Sequence, residues 1–223
     1  MTIPPRAVRG AAALAASMLL LRDAAAQPSA CPALLPPAPA PPAALATALD
    51  ALRRAVAARD AAAFRSLAAP DIRLDLGDAL TLDDLGFDRP GSPAWARLDR
   101  ALSLGCRPAS ATAWECPGLG LLDPPAARGI EPELRVFVIG GAVALRAAPS
   151  AEAPVLARLS CAVAAYDLDA PGAAEDRAWI PLRLGDGRRG HVASRFAHPA
   201  SGWRLMLEHR DGAWRVTHFL AGD

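Results

Sequence analysis

The chain has 223 residues, 24 basic and 23 acidic, and 52% of it is hydrophobic. Every basic residue is arginine; there is no lysine. A near-neutral chain with intermixed charges offers no electrostatic footprint for nucleic acid or for an anionic membrane surface.

Residues 1–26 read as a secretory signal. Arg6 and Arg9 form a positive start, and Ala11 to Leu21 is an apolar run shorter than the about 20 residues a spanning helix needs. Ala24 and Ala26 place small residues at −3 and −1 of a cut before Gln27. Pro28 stands where a lipoprotein would need an aliphatic residue ahead of Cys31, so anchoring through Cys31 is not expected. The expected location is periplasmic or secreted, with no stable membrane insertion after cleavage. Cleavage removes Arg6, Arg9, Arg22 and Asp23 and leaves 21 arginines against 22 acids, a net charge of −1.

Four cysteines in an exported chain point to disulfides, because that compartment is oxidising. Four cysteines allow three connectivities. Cys106–Cys116 is the local option, and closing its short loop would contribute roughly 2–3 kcal/mol. Cys31–Cys161 would then tie the N-terminal tail to the second half of the chain. No spacing among Cys and His suits zinc, and no metal or other cofactor is expected.

Residues 27–44 are proline-rich and read as a stiff extended linker. Leu45, Leu49, Leu52 and Val56 then make a helical apolar stripe that ends near Arg59. Asp60 is placed to N-cap a second short helix carrying Phe64 and Leu67, which Pro70 stops. Asp71 to Leu76 alternates polar and apolar residues and reads as a strand. An acidic loop runs from Gly77 to Arg89. Ser92-Pro93 opens another helix with Trp95, Leu98 and Leu102 on one face, closed by Gly105. Ala111 to Glu115 reads as a strand, and 117–132 as a linker rich in Gly and Pro.

At the C-terminus, Asp211-Gly212 is the dipeptide of a type I′ turn between Gly202–Arg210 and Ala213–Leu220. A two-residue loop sets Glu208 opposite Arg215. Strict alternation then puts Trp203, Leu205, Leu207, Trp214, Val216 and Leu220 on one face, together with His209 and His218.

Between these parts, four stretches repay attention: Val143-Ala-Leu-Arg-Ala-Ala-Pro-Ser150, Val155-Leu-Ala-Arg-Leu159, Trp179-Ile-Pro-Leu-Arg-Leu-Gly-Asp-Gly187 and Gly190-His-Val-Ala-Ser-Arg-Phe196. Together they resemble the bacterial SH3-like (SH3b-type) domain, a small all-β barrel, over residues 135–197. The resemblance implies a non-catalytic binding module of the cell envelope whose partner is peptidoglycan peptide or an envelope protein. It implies contact through Arg146, Trp179 and His191. Two positions depart from the pattern: Cys161 stands where such domains commonly carry glycine, and His191 where they carry an aromatic residue.

The hairpin at 200–223 lies beyond this pattern and needs a partner, since a lone hairpin is marginal in water. The expectation is therefore an α+β protein with helices packed on an antiparallel sheet. In it, residues 45–132 and 200–223 form one discontinuous domain, and the barrel is inserted in or fused to it. The flanking segments also resemble the cone-shaped nuclear-transport-factor-like fold, in Ala51 to Leu74 and in Asp211 to Phe219. That resemblance implies an apolar pocket, which Trp95, Trp114, Trp203 and Trp214 could line, but the expected role of these four is plain core packing.

No constellation of catalytic residues emerges. His198 is expected in a linker, and His209 and His218 lie roughly 13 Å apart on the expected hairpin, at about 3.4 Å per residue. Asp75, Asp78, Asp83 and Asp84 lack the spacing of a calcium loop. The expected function is thus binding without catalysis. The alternatives are a small-ligand binder or enzyme using the cone pocket, and a structural partner subunit.

Overall fold

A computed structural model of the chain describes residues 31–77, 80–170 and 178–222. The signal segment, Asp78 and much of the acidic insert near Asp176 lie outside the described residues. The first helix, α1 (Ala43–Ala58), buries Leu45, Leu49, Leu52, Ala55 and Val56. It ends where Arg59 turns left-handed at φ 52°. Asp60 then caps α2 (Ala61–Leu67), its Oδ1 accepting from the Ala63 amide at 2.9 Å. The following strand β1 (Ala68–Arg73) begins earlier than the alternation of 71–76 suggests, and Pro70 lies inside it. An edge strand tolerates the missing amide, and β1 is an edge strand. Helix α3 (Pro93–Ser103) opens as Ser92 Oγ accepts from the Ala94 amide at 3.3 Å and donates to Leu85 O at 2.9 Å. Two short strands follow, β2 (Arg107–Pro108) and β3 (Ala113–Cys116).

Seven more strands intervene before the terminal pair: β4 (Arg135–Val138), β5 (Val143–Arg146), β6 (Val155–Leu159), β7 (Ala162–Tyr166), β8 (Trp179–Arg183), β9 (Arg189–Ala193) and β10 (Ala197–Pro199). The hairpin β11 (Arg204–Arg210) and β12 (Ala213–Leu220) closes the chain. Asp211 and Gly212 both have positive φ, at 50° and 79°, as a type I′ turn requires. Glu208 does face Arg215. The protein is α+β, with two mainly antiparallel sheets. The first has the order β1-β12-β11-β3-β2, and the second β10-β4-β7-β8-β9-β5-β6. The hairpin thus lies inside the first sheet, antiparallel to β3 and parallel to β1.

Strict alternation along β12 fails at one point. Leu207 pairs with Val216 but Met206 with His218, so Thr217 is an extra residue, a bulge. Beyond it the faces exchange. Phe219, not His218, joins Leu205 in the core, and His209 and His218 do not share a face. The reason is packing: Phe219 meets Trp203 at 4.9 Å and Phe87 at 6.3 Å between ring centroids. Phe87 in turn meets Phe64 at 4.7 Å and Trp95 at 4.8 Å. These rings, with the apolar faces of α1 and α3, fill the space between helices and sheet.

The second sheet, an open array in its strand order, packs its own core of Val136, Val138, Val143, Leu145, Ile180, Leu182 and Val192. The outer side of β4 and β7 is covered as well. Phe137 is fully buried there against Leu119, Leu34, Leu35 and Cys31. Residues 31–35, expected to belong to a stiff extended linker, therefore pack as part of the core through Cys31, Leu34 and Leu35. Likewise Leu119 in the expected 117–132 linker is buried.

Truncating Phe219 should remove the ring that the bulge exists to place. The expected cost of Phe219→Ala is about 3–5 kcal/mol, read from the urea midpoint at unchanged slope.

Candidate functional site

The three residues singled out for ligand contact come together. Ile180 and Leu182 on β8 and Val192 on β9 point into the core, so Trp179, Pro181 and His191 lie on the opposite face. His191 is the direct cross-strand partner of Pro181 on one side and of Arg146 on the other. Arg146, His191 and Pro181 thus form one row across β5, β9 and β8. Trp179 is diagonal to His191 at about 7–8 Å, within reach of an aromatic side chain. Arg146, Trp179 and His191 are all half-buried. Arg146 Nη1 donates to Ala153 O at 2.7 Å and so pins the loop between β5 and β6 beside the row.

Gly190 makes this row possible. A Cβ at that position would lie 2.7 Å from Arg146 O and 2.9 Å from Leu145 Cγ. Only glycine lets β5 approach β9 so closely. At the far end of β9, Arg189 pairs with Asp169 at 2.8 Å and Asp167 at 3.6 Å. These contacts raise the Arg189 guanidinium above its usual pKa, first through the hydrogen bond to Asp169.

The remaining candidates have structural roles. Cys106–Cys116 and Cys31–Cys161 are both at disulfide distance, with Cα separations of 4.2 and 5.3 Å. Cys161 occupies a left-handed position at φ 46°, the conformation that glycine would take without strain. Asp83 and Asp88 hold Arg65, each with a contact of 2.6 Å. Asp84 accepts from the Thr81 amide at 2.8 Å and its hydroxyl at 2.6 Å, which lowers its pKa. Asp75 accepts from the amides of Gly77 and Leu80. Of the four tryptophans proposed to line a pocket, Trp95 and Trp114 are buried in the core, while Trp203 and Trp214 pack at its margin. Arg97 stacks over the Trp203 ring at 4.4 Å.

His198 is not in a linker but on β10, opposite Phe137. Burial, reinforced by the nearby Arg100 guanidinium, pushes its pKa down to about 3. Arg100 was not foreseen at all. From α3 it donates to Ser194 O at 2.7 Å and to Ala197 O, joining the first helical layer to the second sheet. No pattern in its local sequence signals this, since it occupies an ordinary helical position. Gly190 had a signal, an isolated glycine in a strand.

Comparison with family models, curated proteins and solved structures yields no match for this chain.

Two measurements follow. Gly190→Ala should cost about 1–3 kcal/mol by overpacking, read by urea unfolding, and should separate β5 from β9. His198 binds its proton less readily folded than unfolded, so its contribution is complete above pH about 6.5 and is lost as pH falls toward 3. Thermal melts of the wild type should fall over this window more steeply than those of His198→Asn.

Proposed function

We propose that this is an exported, non-enzymatic binding protein whose residues 135–197 form an SH3-like module that holds an envelope peptide or protein partner. The module would stand inserted in a discontinuous domain made of residues 45–132 and 200–223. The observation that carries the reading is the convergence of Arg146, His191 and Trp179 on one face of β8, β9 and β5. A guanidinium, an imidazole and an indole beside Pro181 suit an extended peptide. The half-buried indole offers apolar contact, and the guanidinium offers donors to a carboxylate. The short helical turn Ser194–Phe196 before β10, and the tight Asp186-Gly187 connection between β8 and β9, accord with the same module. The two cysteine pairs at disulfide distance fit an oxidising, extracytoplasmic compartment.

Co-sedimentation of the mature chain with purified peptidoglycan sacculi tests the reading. The wild type should be retained, and Trp179→Ala should lose most of that retention while keeping its circular dichroism spectrum. A wild-type chain that stays in the supernatant would overturn the peptidoglycan reading.

A further inference from the structure

Residues 31–42 run outside any helix or strand, and the side chains they bury are those of Cys31, Leu34 and Leu35. Pro32, Ala33 and residues 36–40 are exposed. The amides of Leu34 and Leu35 both donate to Cys31 O, at 3.0 and 2.8 Å, and fold the start of the segment into a small plug. The plug lies against Phe137 and Leu119, with Ile139 and Val163 at its margin. Arg107 Nη2 donates to Pro36 O at 3.0 Å, and the bond from Cys31 to Cys161 fixes the plug to the second sheet. Two leucines and one such hydrogen bond offset little of the entropy lost in ordering an irregular segment. The covalent bond therefore decides whether the plug stays seated. The two disulfides also differ in access. Cys106 and Cys116 are both buried, whereas Cys161 is half-exposed in the turn at 160–161 between β6 and β7. Thiol–disulfide exchange needs a thiolate to reach one of the two sulfurs. With Cys31 buried, attack falls on Cys161, and Cys31 is the sulfur that leaves. The Gly140 amide donates to Cys31 Sγ at 3.4 Å and is thus placed to stabilise the departing thiolate.

We propose that the Cys31–Cys161 bond is a redox latch, which a dithiol reductant opens ahead of Cys106–Cys116 and so releases residues 31–36 from the outer side of β4 and β7. One thiolate of the dithiol bonds to Cys161 Sγ as the bond to Cys31 breaks, and the electron pair passes to Cys31 Sγ. The second thiolate then attacks the dithiol's own sulfur in the mixed disulfide and expels Cys161. The dithiol ends as a disulfide, and its two protons go to Cys31 and Cys161. Release of the plug bares Phe137 and Leu119, both buried in the closed form, together with Ile139 and Val163. The core of the second sheet, on the other side of β4 and β7, is untouched by this opening. Cys106–Cys116 stays closed and keeps β3 joined to the segment that carries β2. The latch stands apart from the Arg146–His191 row, and its test does not depend on that row.

Timed reduction of the oxidised chain by dithiothreitol, quenched with iodoacetamide and read by peptide mass spectrometry, tests the proposal. Cys31–Cys161 should open at least about tenfold faster than Cys106–Cys116, with the circular dichroism spectrum unchanged. A brief pulse of glutathione should leave its adduct on Cys161 and a free thiol on Cys31. In the singly reduced chain, thermolysin should cut ahead of Leu34 or Leu35, and anilinonaphthalene sulfonate should gain fluorescence on the bared face. Cys161→Ser should show both without reductant, and the wild-type chain carries the test even if that variant does not fold. Equal rates for the two disulfides, or reduction only with loss of the circular dichroism spectrum, would overturn the proposal. So would an adduct on Cys31, or a singly reduced chain that resists thermolysin at Leu34 and Leu35 as the oxidised chain does.

Discussion

The β11–β12 hairpin sits in the interior of the five-stranded sheet, with β1 on one side and β3 on the other. β1 and β3 are not paired with each other, so the sheet is complete only once β11 and β12 have formed. The contacts that seat the hairpin span most of the sequence. Arg215 Nη1 donates to Ser66 O at 2.5 Å, and Arg210 pairs with Asp71 at 2.9 Å. The apolar faces of α1 and α3 find their partners on Leu205, Leu207, Val216 and Phe219. An amphipathic helix gains most of its stability from such a face rather than from propensity. The helices near the start of the described chain therefore depend on strands made last.

A second constraint joins the two sheets. Cys31 and Cys161 close a loop of 130 residues, worth roughly 5 kcal/mol by chain entropy. The bond holds residues 31–35 against Phe137, so the outer side of β4 and β7 is dry rather than solvated. Arginines complete the seam by donating to main-chain carbonyls. Arg100 reaches Ser194 and Ala197, Arg107 reaches Pro36 and Pro117, and Arg135 reaches Ile130 and Leu122. A planar guanidinium can reach two carbonyls at once, which the ammonium of a lysine does less well.

Local chemistry was the legible part of the sequence. The Asp60 and Ser92 caps, the left-handed Gly105 and the Asp211-Gly212 turn act through neighbours a few residues away, and each appears where the sequence places it. Arg146, Trp179 and His191 were named together only through the resemblance to the SH3-like domain, and the pairing of β5, β9 and β8 sets them on one face. What was not legible depends on distant packing. Alternation through Trp214, Val216, His218 and Leu220 is unbroken, yet Thr217 bulges because Phe219 is needed between Phe87 and Trp203. Prolines around Cys31 suggested a stiff extended spacer, and the partners Leu119 and Phe137 explain why it is buried.

Hydrogen exchange on the chain lacking residues 200–223 tests the dependence on the hairpin most directly, compared with the full chain under the same conditions. The amides of α1 and α3 should lose their protection when the hairpin is gone, while β7, β8 and β9 keep theirs. Protection of α1 and α3 at full-chain levels in the truncated protein would contradict the account.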